Sequence, residues 1–378
     1  MIINLCVITP SFHPNLDGTS RVSYHNVLEL SKYLDNIIVY TPLTISNRAI
    51  DTYPENISVI RKKPLVSIAK ASLILSNIRH EYDVDKIHLH APHIFESEYI
   101  YIQKKLHNQI EYVVTYHNDP ISPMKKELML KLYRNRVIQY SLSNAKKIIA
   151  SSMDFAENSM IGKLNLLNNT VELPCGVDTN LFSPEHSINS PTVAQFETEN
   201  SFCILTVGSC GGMSKGLREL IISLSSLENN EQYKLINVGN PKYRDYYLKL
   251  KEDYAFRGSM IFPGFVSDTE LADWYRKCDL VSLLSTSTES FGIPIIEAMA
   301  SGKPVISSNM PGVRTIIRDG QCGYVLNPSD YKDISDKISY LNNNPKIRAT
   351  FGKNGRKIAT EIYDWKIIGQ KLNNILRC

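Results

Sequence analysis

Residues 285–305 read Ser285-Thr-Ser-Thr-Glu-Ser-Phe-Gly-Ile-Pro-Ile-Ile-Glu-Ala-Met-Ala-Ser-Gly-Lys-Pro-Val305. An apolar run, 280–284, precedes them and another starts at 304, so the stretch spells strand, Ser/Thr-rich loop, helix, strand. Pro294 suits the opening of a helix, where the N–H that proline lacks has no intrahelical acceptor. Backbone N–H groups around Phe291, Gly292 and Ile293 then leave the helix N-terminus unpaired and, with the dipole, form an anion site fit for a diphosphate. Glu297 falls in the first turn, about 4.5 Å along the axis from Pro294. That is too far in to face phosphate, but it suits ribose hydroxyls beside it. Glu289 lies in the loop with Ser290 next to it, where the carboxylate reaches sugar hydroxyls. The plainer reading leaves both glutamates solvated, with Glu297 complementing the helix dipole.

Upstream, residues 204–217 (ILTVGSCGGMSKGL) repeat the order of strand, glycine-rich loop and helix. Gly208, Gly211 and Gly212 let backbone approach a ligand closely. Ser214 reads as an N-cap, and Lys215 projects from the helix start as a point charge for phosphate. The loop matches neither G-x-G-x-x-G nor G-x-x-x-x-G-K-[ST], so the fingerprints of dinucleotide dehydrogenases and P-loop enzymes are missing. Taken alone, a tight turn explains it as well. Residues 261–268 (IFPGFVSD) form a strand edge ending in Pro-Gly. Backbone groups of Phe265 and Val266 there are placed to bond a base edge, although a plain turn is the simpler reading.

Farther out, short apolar runs alternate with helical spacing along the whole chain, the signature of parallel βαβ units. Strands are expected at 2–9, 37–40, 86–89, 112–116 and 147–150, with a helix at 19–34. The pattern restarts with strands at 202–207, 234–238, 280–284, 304–307 and 323–326 and helices at 217–227 and 271–276. A polar stretch, 184–200, reads as a linker or surface loop. The expected division is therefore 1–183, a linker 184–200, 201–360, and a helical tail 361–378 that crosses back to the first domain. At 378 residues, two domains are the prior. Ligands of open α/β sheets bind at the carboxyl ends of the strands.

In the first half, residues 10–19 (PSFHPNLDGT) join strand to helix. Asp17-Gly18 reads there as a turn, with Thr19 capping the helix. His117 closes the apolar strand 112–116 and so stands at a carboxyl edge. His88, His90 and His93 alternate along the next strand, but no carboxylate or cysteine joins them at ligand spacing, so they read as structural rather than metal-binding. Asp83-Val-Asp85 precedes a strand instead of ending one, which faces it away from the ligand edge; no metal is expected.

Together these segments resemble the retaining glycosyltransferases of family 4. The resemblance implies a GT-B fold, two Rossmann-like doubly wound domains facing each other across a cleft. Glu289 and Glu297 match the family's E-x(7)-E, Val207-Gly208 with Lys215-Gly216 its V-G-R-(x)n-K-G, and residues 173–184 its P-N-G-V-D-x-x-x-F-x-P. Gly302-Lys-Pro-Val-Ile306 and Pro311-Gly-Val313 are similar too, and the five segments come in the family's order. Gly18-Thr19 stands where a Gly-Gly loop approaches the donor phosphate and sugar, and His117 where a histidine touches the transferring sugar. One departure is Ser209, in the place of a phosphate-binding arginine; Lys215, Arg218 or Arg21 is expected to take up its charge. The resemblance implies a nucleotide-diphosphate sugar as donor, catalysis by His117, Glu289 and Lys215, no cofactor, and front-face transfer in which the leaving phosphate takes the acceptor's proton. Fold alone does not fix function, and a nucleotide-sugar epimerase or a non-catalytic donor-binding subunit on the same scaffold stays open.

Composition narrows the partners. A net charge of +4 is too small for bulk nucleic-acid binding. Seven cysteines without a C-x-x-C pair fit a reducing cytosol, and no apolar run reaches the roughly 20 residues of a membrane span. Segment 123–147 carries seven cations against Glu127 alone, interleaved with apolar residues. A partly buried helix with solvated charges is the preferred reading, because Lys125, Lys126 and Arg136 fall among the apolar positions of a helical wheel. Peripheral contact with an anionic membrane is the alternative. It would suit a lipid-linked acceptor, such as a precursor of a bacterial surface glycan, in place of a free glycan.

Overall fold

The computed structural model describes residues 4–15, 17–43, 52–63, 66–68, 71–73, 84–92, 111–119, 138–208, 214–287 and 289–377. The chain divides into two compact units, Met1–Gly176 with Trp365–Cys378, and Val177–Asp364. The boundary thus precedes the polar stretch, and residues 184–200 belong to the second unit, where Pro191–Ala194 form a short helix.

The first unit is built on a seven-stranded sheet. Its strands are β1 (Asn4–Ile8), β2 (Asn36–Pro42), β3 (Ile57–Lys62), β6 (Lys86–Ala91), β7 (Tyr112–Tyr116), β8 (Lys147–Ala150) and β9 (Thr170–Glu172). A small antiparallel pair, β4 (Val66–Ile68) and β5 (Ala71–Leu73), stands apart from it. The order is β3-β2-β1-β6-β7-β8-β9 with every neighbouring pair parallel. All five residues of β7 are buried, because helices cover both faces of a parallel sheet and its strands read as continuous apolar runs. Cys6, Leu89, Val114 and Ile148, from four adjacent strands, belong to one core. Helix α1 (Gly18–Leu30) follows β1.

The second unit repeats the plan. Strands β10 (Phe202–Val207), β11 (Tyr233–Val238), β12 (Ser259–Gly264), β13 (Leu280–Leu283), β14 (Val305–Ser308) and β15 (Gly323–Leu326) form a parallel sheet ordered β12-β11-β10-β13-β14-β15. Three of its helices bear on function: α2 (Leu217–Ser225), α3 (Asp268–Lys277) and α4 (Ile293–Ala300). In both sheets the chain winds outward one way and then returns to start again on the other side of its first strand. The reversal lies between β1 and β6 in one unit and between β10 and β13 in the other. At such switch points the loops part and open a crevice at the carboxyl ends of the strands.

The last helix, α5 (Trp365–Arg377), belongs to the first unit and packs on α1. A β-carbon on Gly369 would sit 2.3 Å from Glu29 Cβ, and the Trp365 ring stacks on His25 with centroids 4.7 Å apart. No helix among the described residues is long and apolar enough to cross a membrane.

Candidate active site

In the second unit the two motif loops leave β10 and β13, the strands flanking the switch point, and they are joined. Thr286 N–H donates to Ser214 O at 2.8 Å. The Lys215 ammonium pairs with Glu289 Oε2, and Ser285 Oγ donates to the same oxygen at 3.2 Å. Ser285 is buried, while the side chains of Lys215 and Glu289 keep 38% and 15% of their exposure. The pair is therefore held from below and open to a ligand from above. A β-carbon at Gly208 would lie 3.8 Å from the Lys215 side chain, so Gly208 gathers at the same spot.

Both helices that start here begin on a left-handed glycine. Gly216 (φ 83°) precedes α2 and Gly292 (φ 87°) precedes α4, and neither helix has a side-chain cap. A β-carbon on Gly216 would meet Leu284 O at 2.2 Å, so only glycine lets the Lys215 loop lie against the end of β13. With no side-chain cap, the first N–H groups of each helix stay available to an acceptor. Phe291 turns inward, 3% exposed and edge-on to Tyr363 at 5.9 Å, so it offers only backbone. Ile293 is half-buried as the first residue of α4 and Ser290 is half-buried before it. Glu297 is 3% exposed and accepts a 2.7 Å bond from Tyr275 of α3. Phe265 is 66% exposed beyond the end of β12, with Val266 half-buried after it.

In the first unit the loop after β1 is tied to itself. Asp17 caps α1, accepting from Ser20 N–H at 3.1 Å and from Ser11 Oγ at 2.5 Å. Ser11 O in turn takes bonds from Thr9 Oγ1 and Ser23 Oγ. Gly18 is exposed and Thr19 half-buried at the helix start. At the end of β7, His117 N–H donates to Ala91 O at 2.8 Å, and His117 Nε2 lies 2.8 Å from His90 Nδ1. Burial pushes the His117 imidazolium down to about 4, against an opposing pull from Asp17, so the ring is neutral at pH 7. Asp119 accepts from Tyr116 Oη at 2.7 Å and from Met160 N–H at 3.0 Å.

Residues 192–358 match the model of the family described as glycosyl transferases group 1. An uncharacterised glycosyltransferase of Methanocaldococcus jannaschii is 25% identical over 370 residues, 97% of this chain and 96% of its own length. The chain is a glycosyltransferase carrying a group 1 domain. Among solved structures, a sucrose-phosphate synthase of Thermosynechococcus elongatus superposes with a TM-score of 0.81 at 19% identity, over 99% of this chain and 98% of that one. Anabaena HepE in complex with UDP-glucose superposes with a TM-score of 0.77 at 19% identity, over 99% of each chain. The fold is that of the GT-B glycosyltransferases, two Rossmann-like parallel-sheet units.

Several local expectations change. Gly216 rather than Ser214 is the residue at the N-cap of α2, two positions later than expected, and the Ser214 carbonyl accepts from Thr286 N–H. In the first unit, Asp17 takes the capping place expected of Thr19. Arg218, a candidate to replace the missing phosphate cation, is committed elsewhere. It donates to Tyr331 Oη at 3.1 Å and to Glu219 Oε1 at 3.3 Å, and the Tyr331 bond raises its pKa. Arg21 lies on α1 of the first unit. Segment 123–147 is not one helix: the described helix is Gln139–Ser143, Lys146 pairs with Glu111, and Lys147 opens β8. Residues 123–137, Ser209, Gly211, Gly212, Asp83 and His93 lie outside the described residues. Asp85 accepts from Asn4 N–H at 2.8 Å, at the amino end of β6 and opposite the ligand edge.

Two supporting residues escaped the motifs. Tyr275 and His90 each hold a motif residue through a contact between different elements of the fold, and no local pattern marks them, whereas Ser285 lies within the motif stretch and holds Glu289 from four residues away.

Proposed function

We propose that the enzyme moves a sugar from a nucleoside-diphosphate donor to an acceptor with retention of anomeric configuration, in the manner of family 4. The observation that carries this is the Lys215–Glu289–Ser285 cluster at the β10/β13 switch point. A cation and a carboxylate held side by side suit the two chemically distinct parts of such a donor. Lys215 and the N–H groups before α4 face the diphosphate, and Glu289 takes sugar hydroxyls. HepE, with the same fold, binds UDP-glucose.

The sheet order supports the rest of the donor's path. Phe265 and Val266 follow β12, two strands from β10. At roughly 4.8 Å per strand that is about 10 Å away, room for a nucleoside between base and phosphate. Glu297, held by Tyr275, is assigned to the ribose. Gly18, Thr19 and neutral His117 are assigned to the transferring sugar. The leaving diphosphate's charge is met by Lys215 and the helix N-terminus, without a cofactor or metal, and catalysis is then mostly positioning and charge stabilisation. Ser209 leaves that site one cation short of the family pattern, so Lys215 carries more of the load. We read the acceptor as a glycan or lipid-linked precursor of a surface polysaccharide, handled in the cytoplasm. Segment 123–137 would supply any contact with an anionic leaflet; a donor-directed nucleic-acid role has no support in the charge.

The test is incubation with UDP-glucose, UDP-N-acetylglucosamine and GDP-mannose, each followed by melting temperature and by donor consumption. Stabilisation by one donor, with slow release of its nucleoside diphosphate, is expected. Formation of an isomeric donor would instead identify an epimerase, and binding without turnover a non-catalytic subunit.

A further inference from the structure

Three histidines meet at the carboxyl edge of the first unit. In the parallel register of β6 and β7, His90 lies opposite Thr115 and Ala91 opposite Tyr116. His117 follows directly, and its bond to Ala91 O keeps it beside β6. The His90 and His117 rings stack with centroids 5.1 Å apart at 20°, and His90 Nδ1 reaches His117 Nε2 at 2.8 Å. Behind them, His88 Nε2 is 2.7 Å from Thr115 Oγ1, and its ring centroid is 4.6 Å from that of His90. His88 and His90 are fully buried, whereas His117 is only half-buried.

This geometry constrains His117 more than a backbone contact does. In a neutral imidazole one nitrogen carries the proton and the other accepts. Nε2 of His117 is engaged by His90, so Nδ1 is the nitrogen left to meet a ligand. Whichever role the His90 bond assigns to Nε2, Nδ1 takes the opposite one. A buried neighbour on a separate strand therefore sets both the direction of the ring and the hydrogen-bonding character of its outer edge. The same division occurs at metal sites, where the bond made by one ring nitrogen fixes the tautomer of the other.

We propose that His90 is a positioning residue that fixes the ring orientation and tautomer of His117 for the transferring sugar. The proposal rests on the reading of His117 as a sugar contact.

Ring ¹⁵N chemical shifts of histidine-labelled protein test it, alongside nucleoside-diphosphate release from a mixture of UDP-glucose, UDP-N-acetylglucosamine and GDP-mannose. Wild type should show one tautomer at His117, His90→Leu a mixture, and His90→Asn, whose amide reaches the place of Nδ1, again one. Turnover should fall about tenfold in His90→Leu with KM changed less than about twofold, the pattern of an interaction made only in the transition state. His90→Asn should restore most of that loss. In a His117→Asn background, His90→Leu should cost nothing further, because the two residues act as one unit. An unchanged tautomer in His90→Leu, or additive losses in the double variant, overturns the proposal. Full turnover in His117→Asn alone would discard the sugar-contact reading, while the tautomer comparison still decides whether His90 positions the ring. Should His90→Leu fail to fold, His90→Gln takes its place, because its longer amide reaches past Nδ1 and should lose the tautomer.

Discussion

Lys215→Ala separates the phosphate role of Lys215 from mere support of its loop. The ammonium is the cation gathered with Glu289 and Gly208 at the carboxyl edge of β10 and β13. A charge-assisted bond to phosphate contributes about 1.5–3 kcal/mol. Its loss should weaken binding of UDP, GDP or ADP, whichever binds best, roughly 10- to 100-fold, since each 1.4 kcal/mol is tenfold. The matching nucleoside lacks the diphosphate and should bind as before. The ion pair adds a second arm. With no ligand bound, Glu289 competes for Lys215, and a pair with one partner more than a third exposed is worth only about 0.5–1 kcal/mol after screening. Glu289→Gln keeps a group that can accept from Ser285 but drops the charge. It should therefore tighten nucleoside-diphosphate binding about two- to fivefold while abolishing transfer. Isothermal titration calorimetry at low and high salt measures both arms. Equal losses for nucleoside and diphosphate in Lys215→Ala would refute the reasoning and reduce the lysine to loop support.

Glu289→Ala should leave the melting temperature near wild type and remove sugar transfer; retained turnover above about a tenth, a loss under about 1.4 kcal/mol, would sink the assignment. Gly216→Ala combines a left-handed φ with a β-carbon driven onto Leu284 O. It should cost about 1–3 kcal/mol in thermal unfolding and weaken donor binding with it, and wild-type behaviour in both would contradict the placement of the loop. Burial holds His88 at about 3 and His117 at about 4, against an ordinary 6.5. The unfolded chain therefore binds more protons across that window, so their contribution to stability is complete above pH 6.5 and is lost as pH falls through it. His88 alone should cost about 3 kcal/mol at pH 4, read from urea unfolding at pH 7 and pH 4. Vesicle flotation at low salt separates the two readings of segment 123–147: binding to anionic but not neutral vesicles, weakened by Lys125→Glu with Lys126→Glu, supports peripheral membrane contact, and no binding ends that alternative in favour of solvated charges.

Much of both parallel sheets was legible because the function sits where strands end. The apolar runs of β7, β8, β10 and β15 coincide with the spans expected from sequence, since strands buried on both faces leave little choice of residue. Helices escaped where packing overrides propensity. Pro345–Ile358 is helical although Gly352 and Gly355 interrupt it. A β-carbon on Gly352 would sit 2.1 Å from Gly302 O, so the glycines serve close contact rather than a turn. The glutamates and Lys215 were visible as motifs, but their environment was not. That Glu297 turns onto Tyr275 while Glu289 faces Lys215 depends on which strands neighbour one another. Sequence spacing carries no such information across 74 residues.

The most direct measurement follows the anomeric proton by NMR while the enzyme hydrolyses its preferred nucleotide-sugar in the absence of acceptor. Nucleoside diphosphate should appear together with free sugar in the donor's own anomeric configuration before mutarotation mixes the two, and Glu289→Ala should abolish both signals. Sugar released with inverted configuration, an isomerised donor, or undiminished turnover in Glu289→Ala would contradict a retaining transfer centred on the Lys215–Glu289 site.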